Sequence, residues 1–249
     1  MSVISRFLLV VLMLLPFMAS ANITLSKYRI YFDANDRAEA LQLRNTGATD
    51  AQFSAELVLS AMTEEGKVYT VFEDEFDASP LLRYSPKRGT IGPGQRQALR
   101  FALRKPAGLP EGEYRAVLKL TSSLATPGNG SINLNSKLAY SIPVIVRHGR
   151  LSATTTLTQP QTIMVNDNPH IQLWQTREGN RSLYGNFMVT DEDGNEVGVV
   201  NGIATYLPLQ KRKVLIPLKP GFRGPVTITF TENENYGGDA AATLDYVVK

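Results

Sequence analysis

The clearest pattern in the chain is an alternation of apolar and polar residues over positions 131–147. Even positions from 132 to 146 are apolar apart from Ser136. A period of two residues is typical of a β-strand with one apolar face. The run is much longer than a usual strand of about 5–6 residues, and the segment before it, residues 125–131, contains Gly and Pro. The pattern predicts either an ordinary core strand after a loop or a strand offered to another protein.

Shorter segments of the same kind follow one another along most of the chain. In the first half we predict strands at residues 23–32, 38–45, 51–59 and 113–120, and another around Leu99, Phe101 and Leu103. In the second half the predicted strands lie at residues 170–175, 184–190, 197–206, 213–218, 226–230 and 243–248. Turn sequences such as Asp193-Gly194 separate them. This spacing, without an amphipathic helix, predicts antiparallel β-sandwiches of immunoglobulin type.

The N-terminus has the features of a secretory signal peptide over residues 1–21. Arg6 precedes an apolar core at residues 7–18, and small residues follow at 19–21. The apolar core is shorter than the about 20 residues of a membrane span, so we expect a soluble, exported mature chain. The remaining length is enough for two domains, which we place at residues 22–148 and 149–249.

Composition narrows the candidate chemistry. The chain has no Cys, two His and a formal net charge of +3 with both signs interspersed, which does not favour a metal site or nucleic-acid binding. The acidic segment 191–196 fits a hairpin turn better than a calcium loop, because Gly194 is its fourth residue rather than its sixth. No catalytic motif is present, so we expect neither an enzyme nor a cofactor. Trp174 fits a core position better than a sugar-binding platform.

Several short motifs occur in a characteristic order over nearly the whole mature chain. They are Leu25 to Asp33 (LSKYRIYFD), Tyr84 to Arg88 (YSPKR), Pro93-Gly94-Gln95, Gly112 to Arg115 (GEYR), Ile142 to Arg147 (IPVIVR) and Asn235 to Gly238 (NYGG). In this order they resemble the more divergent branches of a family, the periplasmic chaperones that assemble bacterial pili by the chaperone–usher route. The resemblance implies two immunoglobulin-like domains in an L shape with a cleft between them.

The resemblance also implies a function and partners. Members of this family hold pilus subunits by donating alternating apolar residues of the long strand, and they deliver the subunits to an outer-membrane usher. The donor residues here would be Ile132, Leu134, Leu138 and Tyr140. The free chain could also self-associate weakly through the same strand, since an unoccupied apolar edge invites pairing.

Two sets of charged residues carry further roles by the same resemblance. A basic pair in the cleft binds the carboxylate at the end of the subunit; Arg29 matches its first member, and Lys137 and Arg115 are both candidates for the second. An interdomain charge cluster would comprise Glu113, Arg147 and Asn235, where the third position is acidic in the family. The alternative function is an exported tandem β-sandwich with a structural or adhesive role.

Overall fold

The chain is almost entirely β-structure in a computed structural model, which describes residues 23–124 and 137–249. Within the first of these ranges and the start of the second, the strands are β1 (Ile23–Leu25), β2 (Ile30–Phe32), β3 (Ala38–Asn45), β4 (Ala51–Met62), β5 (Val68–Val71), β6 (Leu82–Ser85), β7 (Arg88–Ile91), β8 (Arg96–Leu103), β9 (Gly112–Leu124) and β10 (Lys137–His148). The second half contains β11 (Ala153–Val165), β12 (Asn168–Gly179), β13 (Leu183–Asp191), β14 (Glu196–Thr205), β15 (Lys211–Pro217), β16 (Gly224–Glu232) and β17 (Ala241–Val248). Short 3-10 turns occur at Ser79–Leu81 and Glu234–Tyr236.

Strands β1 to β10 form the first sandwich. One sheet has the order β1-β3-β8-β6, and the other has the order β2-β10-β9-β4-β5, with β7 also paired to β4. The N-terminal segment changes sheets, because β1 pairs with β3 whereas β2 pairs in parallel with β10. Apolar residues of both sheets meet in one core, in which Phe32, Leu41, Phe101 and Leu118 are almost completely buried.

Strands β11 to β17 form the second sandwich, from sheets of order β11-β12-β15 and β14-β13-β16-β17. Its core includes Phe187 and Phe230, whose ring centroids are 4.9 Å apart. The predicted hairpin at Asp193-Gly194 joins β13 to β14, and the Asp191 side chain accepts hydrogen bonds there from the Asn195 and Asp193 amides at 2.8 and 3.1 Å. The predicted fold class, all-β with two β-sandwiches, is confirmed.

One long strand, β11, was absent from the sequence prediction for a physical reason. Its pairing with β12 shifts register between Thr158 and Gln161, and Gln159 adopts a positive φ of 53°. A bulge of this kind interrupts the two-residue period on which strand prediction depends. No helix in the described ranges is long and apolar enough to cross a membrane.

Candidate functional site

The sheet that contains β2, β9 and β10 has a charged outer face. Val144 and Val146 of β10 are buried in the first core, where they pair with Ile30 and Phe32 of β2. Because side chains alternate across a strand, the residues between them point to the opposite face. By the same alternation and pairing, that face carries Arg29, Tyr31, Glu113, Arg115 and Arg147.

Arg29 is surrounded by three tyrosines of the second sandwich. Its Nη2 donates a hydrogen bond to the Tyr206 hydroxyl at 2.8 Å. Its Cζ lies 3.7 Å from the Tyr184 ring centroid, and 5.5 and 5.6 Å from those of Tyr206 and Tyr236. Only 5% of Arg29 is exposed. Cation–π contacts of this kind offset part of the cost of removing a guanidinium from water.

Arg115 also lies beside Tyr206. Its Cζ is 5.5 Å from the Tyr206 ring centroid, and only 6% of the residue is exposed. Burial lowers the pKa of Arg115, although Glu113 and Asp74 oppose the shift. Burial also raises the pKa of the Tyr206 phenol, against the effect of Arg29. Both guanidinium groups therefore lie near the same buried, neutral phenol.

Both arginines of this pair have a hydrogen-bond donor that is not used in the described ranges. Within the described residues, Arg29 forms no ion pair, and the carboxylate paired with Arg115 is that of Asp74, at a long 3.9 Å. The Nε atoms of Arg29 and Arg115 are buried and have no hydrogen-bond partner in the part of the chain that the structure describes. Buried guanidinium groups with unused donors favour an added acceptor, and a carboxylate is the acceptor that their fork geometry fits best. The arrangement can therefore bind an anionic group.

Arg147 and Glu113 form an ion pair at the junction of the two sandwiches. The Arg147 Nε is 3.2 Å from Glu113 Oε2, and the Glu113 side chain is completely buried. The same carboxylate oxygen accepts a hydrogen bond from the Ser182 amide at 3.1 Å. Arg147 Nη1 donates to the carbonyls of Tyr236 and Gly237 at 3.1 and 2.8 Å. One ion pair thus connects the first sandwich to two segments of the second.

Asn235 does not contact Arg147 through its side chain. It is exposed, and its amide donates to the Asn233 side chain at 3.0 Å. The same turn ends at Gly237, which has a φ of 63°. A Cβ at Gly237 would lie 2.4 Å from the Tyr31 hydroxyl. The turn therefore contributes backbone carbonyls, rather than the residue at 235, to the charge cluster.

Solved structures with a similar fold are known. The chain is similar to the YadV chaperone, with a TM-score of 0.51 and 11% identity over 91% of this chain and 99% of that one. It is also similar to the Salmonella enterica complex of SafA pilin with the SafB chaperone, with a TM-score of 0.50 and 12% identity over 92% and 97% of the two chains. The chain has the pilus-chaperone fold. No protein-family model matches the sequence, and no curated protein matches it.

A further pilus-chaperone structure shares more identity over less of the chain. It is the complex of CsuC with the tip adhesion subunit CsuE from Acinetobacter baumannii, with 17% identity, a TM-score of 0.44, and coverage of 78% of this chain and 90% of that one.

Within the pilus-chaperone fold, the two candidates for the second basic residue lie far apart. Lys137 is exposed and pairs with Ser123 at the start of β10. Arg29 precedes Ile30, which pairs with Val144, so it lies beside Pro143, six residues from Lys137. Six residues of strand span about 20 Å. The structure therefore does not bring Lys137 to Arg29, whereas Arg115 shares Tyr206 with it.

The predicted donor residues lie at the N-terminal part of β10 and before it. Ile132 and Leu134 fall outside the described residues. Leu138 is 38% exposed. Tyr140 is half-buried, and its hydroxyl donates to the Ile23 carbonyl at 2.7 Å. Both side chains lie on the same face of β10 as Val144 and Val146, which are part of the first core.

The pairing of β10 leaves one of its edges open. Strand β10 pairs with β9 over its whole length, from Lys137 to His148. On its other edge, the pairing described by the structure is with β2 over Val144–Val146 alone. The backbone from Lys137 to Pro143 therefore has a free edge within the described residues, and a free edge can accept another strand.

Sequence reasoning missed two parts of this site. The three tyrosines around Arg29 come from the second half, and nothing in their local sequence indicates a partner so far away. A second ion-pair cluster lies nearby, in which Arg181 Nη1 contacts Glu232 Oε1 at 2.8 Å and Nη2 contacts Asp239. Glu232 Oε1 also accepts from the Tyr184 amide at 3.3 Å. This cluster fixes the strand that positions one of the tyrosines.

Trp174 lies on the outer face of the β11-β12-β15 sheet rather than in the core. Its neighbours Leu173 and Gln175 are buried, and Trp174 is half-exposed because it alternates with them. Lys211 Nζ is 3.9 Å from the Trp174 ring centroid. The predicted core position is therefore wrong, and a lysine covers the ring in place of other apolar side chains.

Proposed function

We propose that this protein is a periplasmic chaperone that binds pilus subunits by donating a β-strand and delivers them to an outer-membrane usher. In this proposal residues 1–21 are a cleaved signal peptide, and residues 22–148 and 149–249 are the two domains. The activity requires neither catalysis nor a cofactor. The observation that carries the proposal is strand β10, whose free edge carries partly exposed apolar side chains and ends near two buried arginines.

The free edge supports strand donation. A strand of the subunit would pair with the main chain from Lys137 to Pro143. Leu138 and Tyr140, which are partly exposed to solvent in the free chain, would then be buried against the subunit. Main-chain pairing supplies affinity with little dependence on the partner's side chains. Burying the remainder of each apolar side chain adds to it at about 25 cal/mol per Å². One chain could then bind several related subunits.

The arginine pair supports a fixed register for that strand. Arg29 and Arg115 have donors without partners and lie near the end of the free edge. A C-terminal carboxylate is a planar anion with two acceptor oxygens, which matches a guanidinium fork. With the carboxylate held there, every side chain of the bound strand would have a defined position along β10, since a one-residue slip would turn all of them to the other face.

The test is an affinity pull-down of the tagged mature chain from the exporting cell, with intact-mass analysis of the proteins recovered. We expect a small all-β exported protein in a one-to-one ratio with the wild-type chain. Arg29→Ala should lose that partner because it removes one arm of the carboxylate site. Arg100→Ala is the matched control, since Arg100 is an exposed arginine on β8 of the other sheet.

Two results would count against the proposal. Recovery of the chain alone, with pilus genes expressed, would favour an exported structural or adhesive protein. Unchanged recovery with Arg29→Ala, when circular dichroism shows a folded variant, would exclude Arg29 as the anchor.

A further inference from the structure

The proposed carboxylate site is closed in the free chain. Arg29 and Arg115 are only 5% and 6% exposed, and the group that lies against both guanidinium groups is the side chain of Tyr206. Arg29 Nη2 already donates to the Tyr206 hydroxyl at 2.8 Å, so a subunit carboxylate that takes this hydrogen bond must replace that hydroxyl. Binding requires an exchange of partners at this atom.

Tyr206 has the chemistry of a temporary acceptor. Its hydroxyl oxygen accepts the Arg29 Nη2 hydrogen bond at 2.8 Å. Removing the phenol without replacing it would leave a further buried donor without a partner, which is costly. A carboxylate in the same position would accept the same hydrogen bond and would add a negative charge between two guanidinium groups. The exchange therefore favours an anion over a neutral group.

Tyr206 lies outside the strands of the second sandwich. It follows the last residue of β14, Thr205, and lies in the connection that leads to β15 at Lys211. Tyr184 and Tyr236, by contrast, lie in β13 and in the turn attached to Arg147. Displacement of Tyr206 would leave Arg29 stacked on Tyr184 at 3.7 Å. The guanidinium would thus keep its orientation during the exchange.

We propose that Tyr206 is a placeholder for the subunit carboxylate: its hydroxyl occupies Arg29 Nη2 in the free chain and is displaced when a chain ending in a free carboxylate binds. This inference rests on the function proposed above. It adds a residue of the second sandwich to the recognition of the subunit terminus. It also makes selection more stringent, because a segment that ends in a neutral amide brings no negative charge to the two guanidinium groups to drive the exchange.

The test measures the coupling between the Tyr206 hydroxyl and the terminal carboxylate. The probes are two synthetic peptides that copy the C-terminal strand of the subunit recovered in the pull-down, one with a free carboxylate and one with a terminal amide. Their affinities are measured by isothermal titration calorimetry for the full mature chain, for Tyr206→Phe and for Tyr69→Phe. Tyr69 is an exposed tyrosine on β5, away from the site.

Tyr206→Phe keeps the aromatic ring and removes the competing acceptor. We expect it to bind the free-carboxylate peptide about two- to tenfold more tightly than the wild-type chain, which is the range for loss of one competing hydrogen bond. The affinity for the amide peptide should stay the same. Tyr69→Phe should change neither affinity.

Other outcomes would overturn the inference. Weaker binding of the carboxylate peptide by Tyr206→Phe would mean that the hydroxyl assists the bound state. Equal changes for both peptides, or no change for either, would mean that the hydroxyl does not compete with the carboxylate. A wild-type chain that does not distinguish the two peptides would contradict the carboxylate site of the proposed function itself, and that result is visible without any Tyr206 variant.

Discussion

Arg29 is a charged side chain that the fold holds almost completely out of water. Its charge is stabilised by aromatic rings, with the nearest centroid at 3.7 Å, and by one phenol oxygen at 2.8 Å. These contacts are weaker than an ion pair in a region of low polarity. An arginine held in this way is ordered and still able to gain from an anion. The same residue can therefore connect the two sandwiches and bind a ligand.

Gly237 lies so close to Tyr31 and Arg147 that a substitution there tests the packing of this turn. Gly237→Ala should destabilise the chain, because a Cβ would meet the Tyr31 hydroxyl at 2.4 Å and Arg147 Nη1 at 3.0 Å. The positive φ adds about 1–2 kcal/mol. The control is Gly221→Ala, which has a similar φ of 72° and no atom within 4 Å of the new Cβ. In thermal unfolding, Gly237→Ala should lose about 1–3 kcal/mol more than the control. Equal losses would show that the turn can move away from Arg147.

Strand β10 is the element on which the proposed function depends. Its C-terminal half is held by the core through Ile142, Val144 and Val146, whereas Leu138 is 38% exposed. The strand therefore has one half that builds the sandwich and one half with side chains available to a partner.

Leu138→Asp tests the role of the exposed half of β10 without disturbing the half that is buried in the core. Because Leu138 is partly exposed, the substitution should lower the melting temperature little, but a charge buried in the subunit groove should abolish recovery of the subunit. Leu215→Asp is the control, since Leu215 is 43% exposed on β15 of the second sandwich. The measurement is subunit yield in the pull-down beside a thermal melt. Strand donation would be contradicted by equal yields from the two variants.

The elements were predictable from sequence where the two-residue period is unbroken. The prediction for β3 matches its observed bounds, Ala38–Asn45, whereas β11 was missed because of its bulge. In the site, Arg29 and Arg115 were candidates, but the Tyr206 that joins them was not. Arg29 and Tyr206 are 177 residues apart in sequence. Contacts between two sandwiches depend on their relative placement, on which the local pattern carries no information.

In the molecule as a whole, polar contacts cross the junction beside the aromatic ones, such as the contact between the Tyr31 and Tyr236 rings. Glu113 and Arg147 connect the first sandwich to Ser182, Tyr236 and Gly237 of the second. The two sandwiches also share a backbone hydrogen bond, in which the Lys213 amide donates to the Glu64 carbonyl at 2.7 Å. Polar contacts of this kind depend on directional bonds, so the loss of a single acceptor should affect the relative placement of the two halves more than the stability of either core.

Glu113→Gln tests whether the ion pair between Glu113 and Arg147 holds the two sandwiches in their relative placement. It removes the charge that pairs with Arg147 inside a completely buried site, and breaking a buried pair costs about 3–5 kcal/mol. Glu39→Gln is the control, because Glu39 pairs with Lys27 within the first sandwich. Since the chain has no Cys, spin labels can be attached through Arg100→Cys and Asp193→Cys, one in each half. We expect Glu113→Gln to broaden the distance distribution between the labels and Glu39→Gln to leave it narrow. A narrow distribution for both variants would mean that the remaining contacts, including those of Arg29 with the three tyrosines, are sufficient to hold the junction.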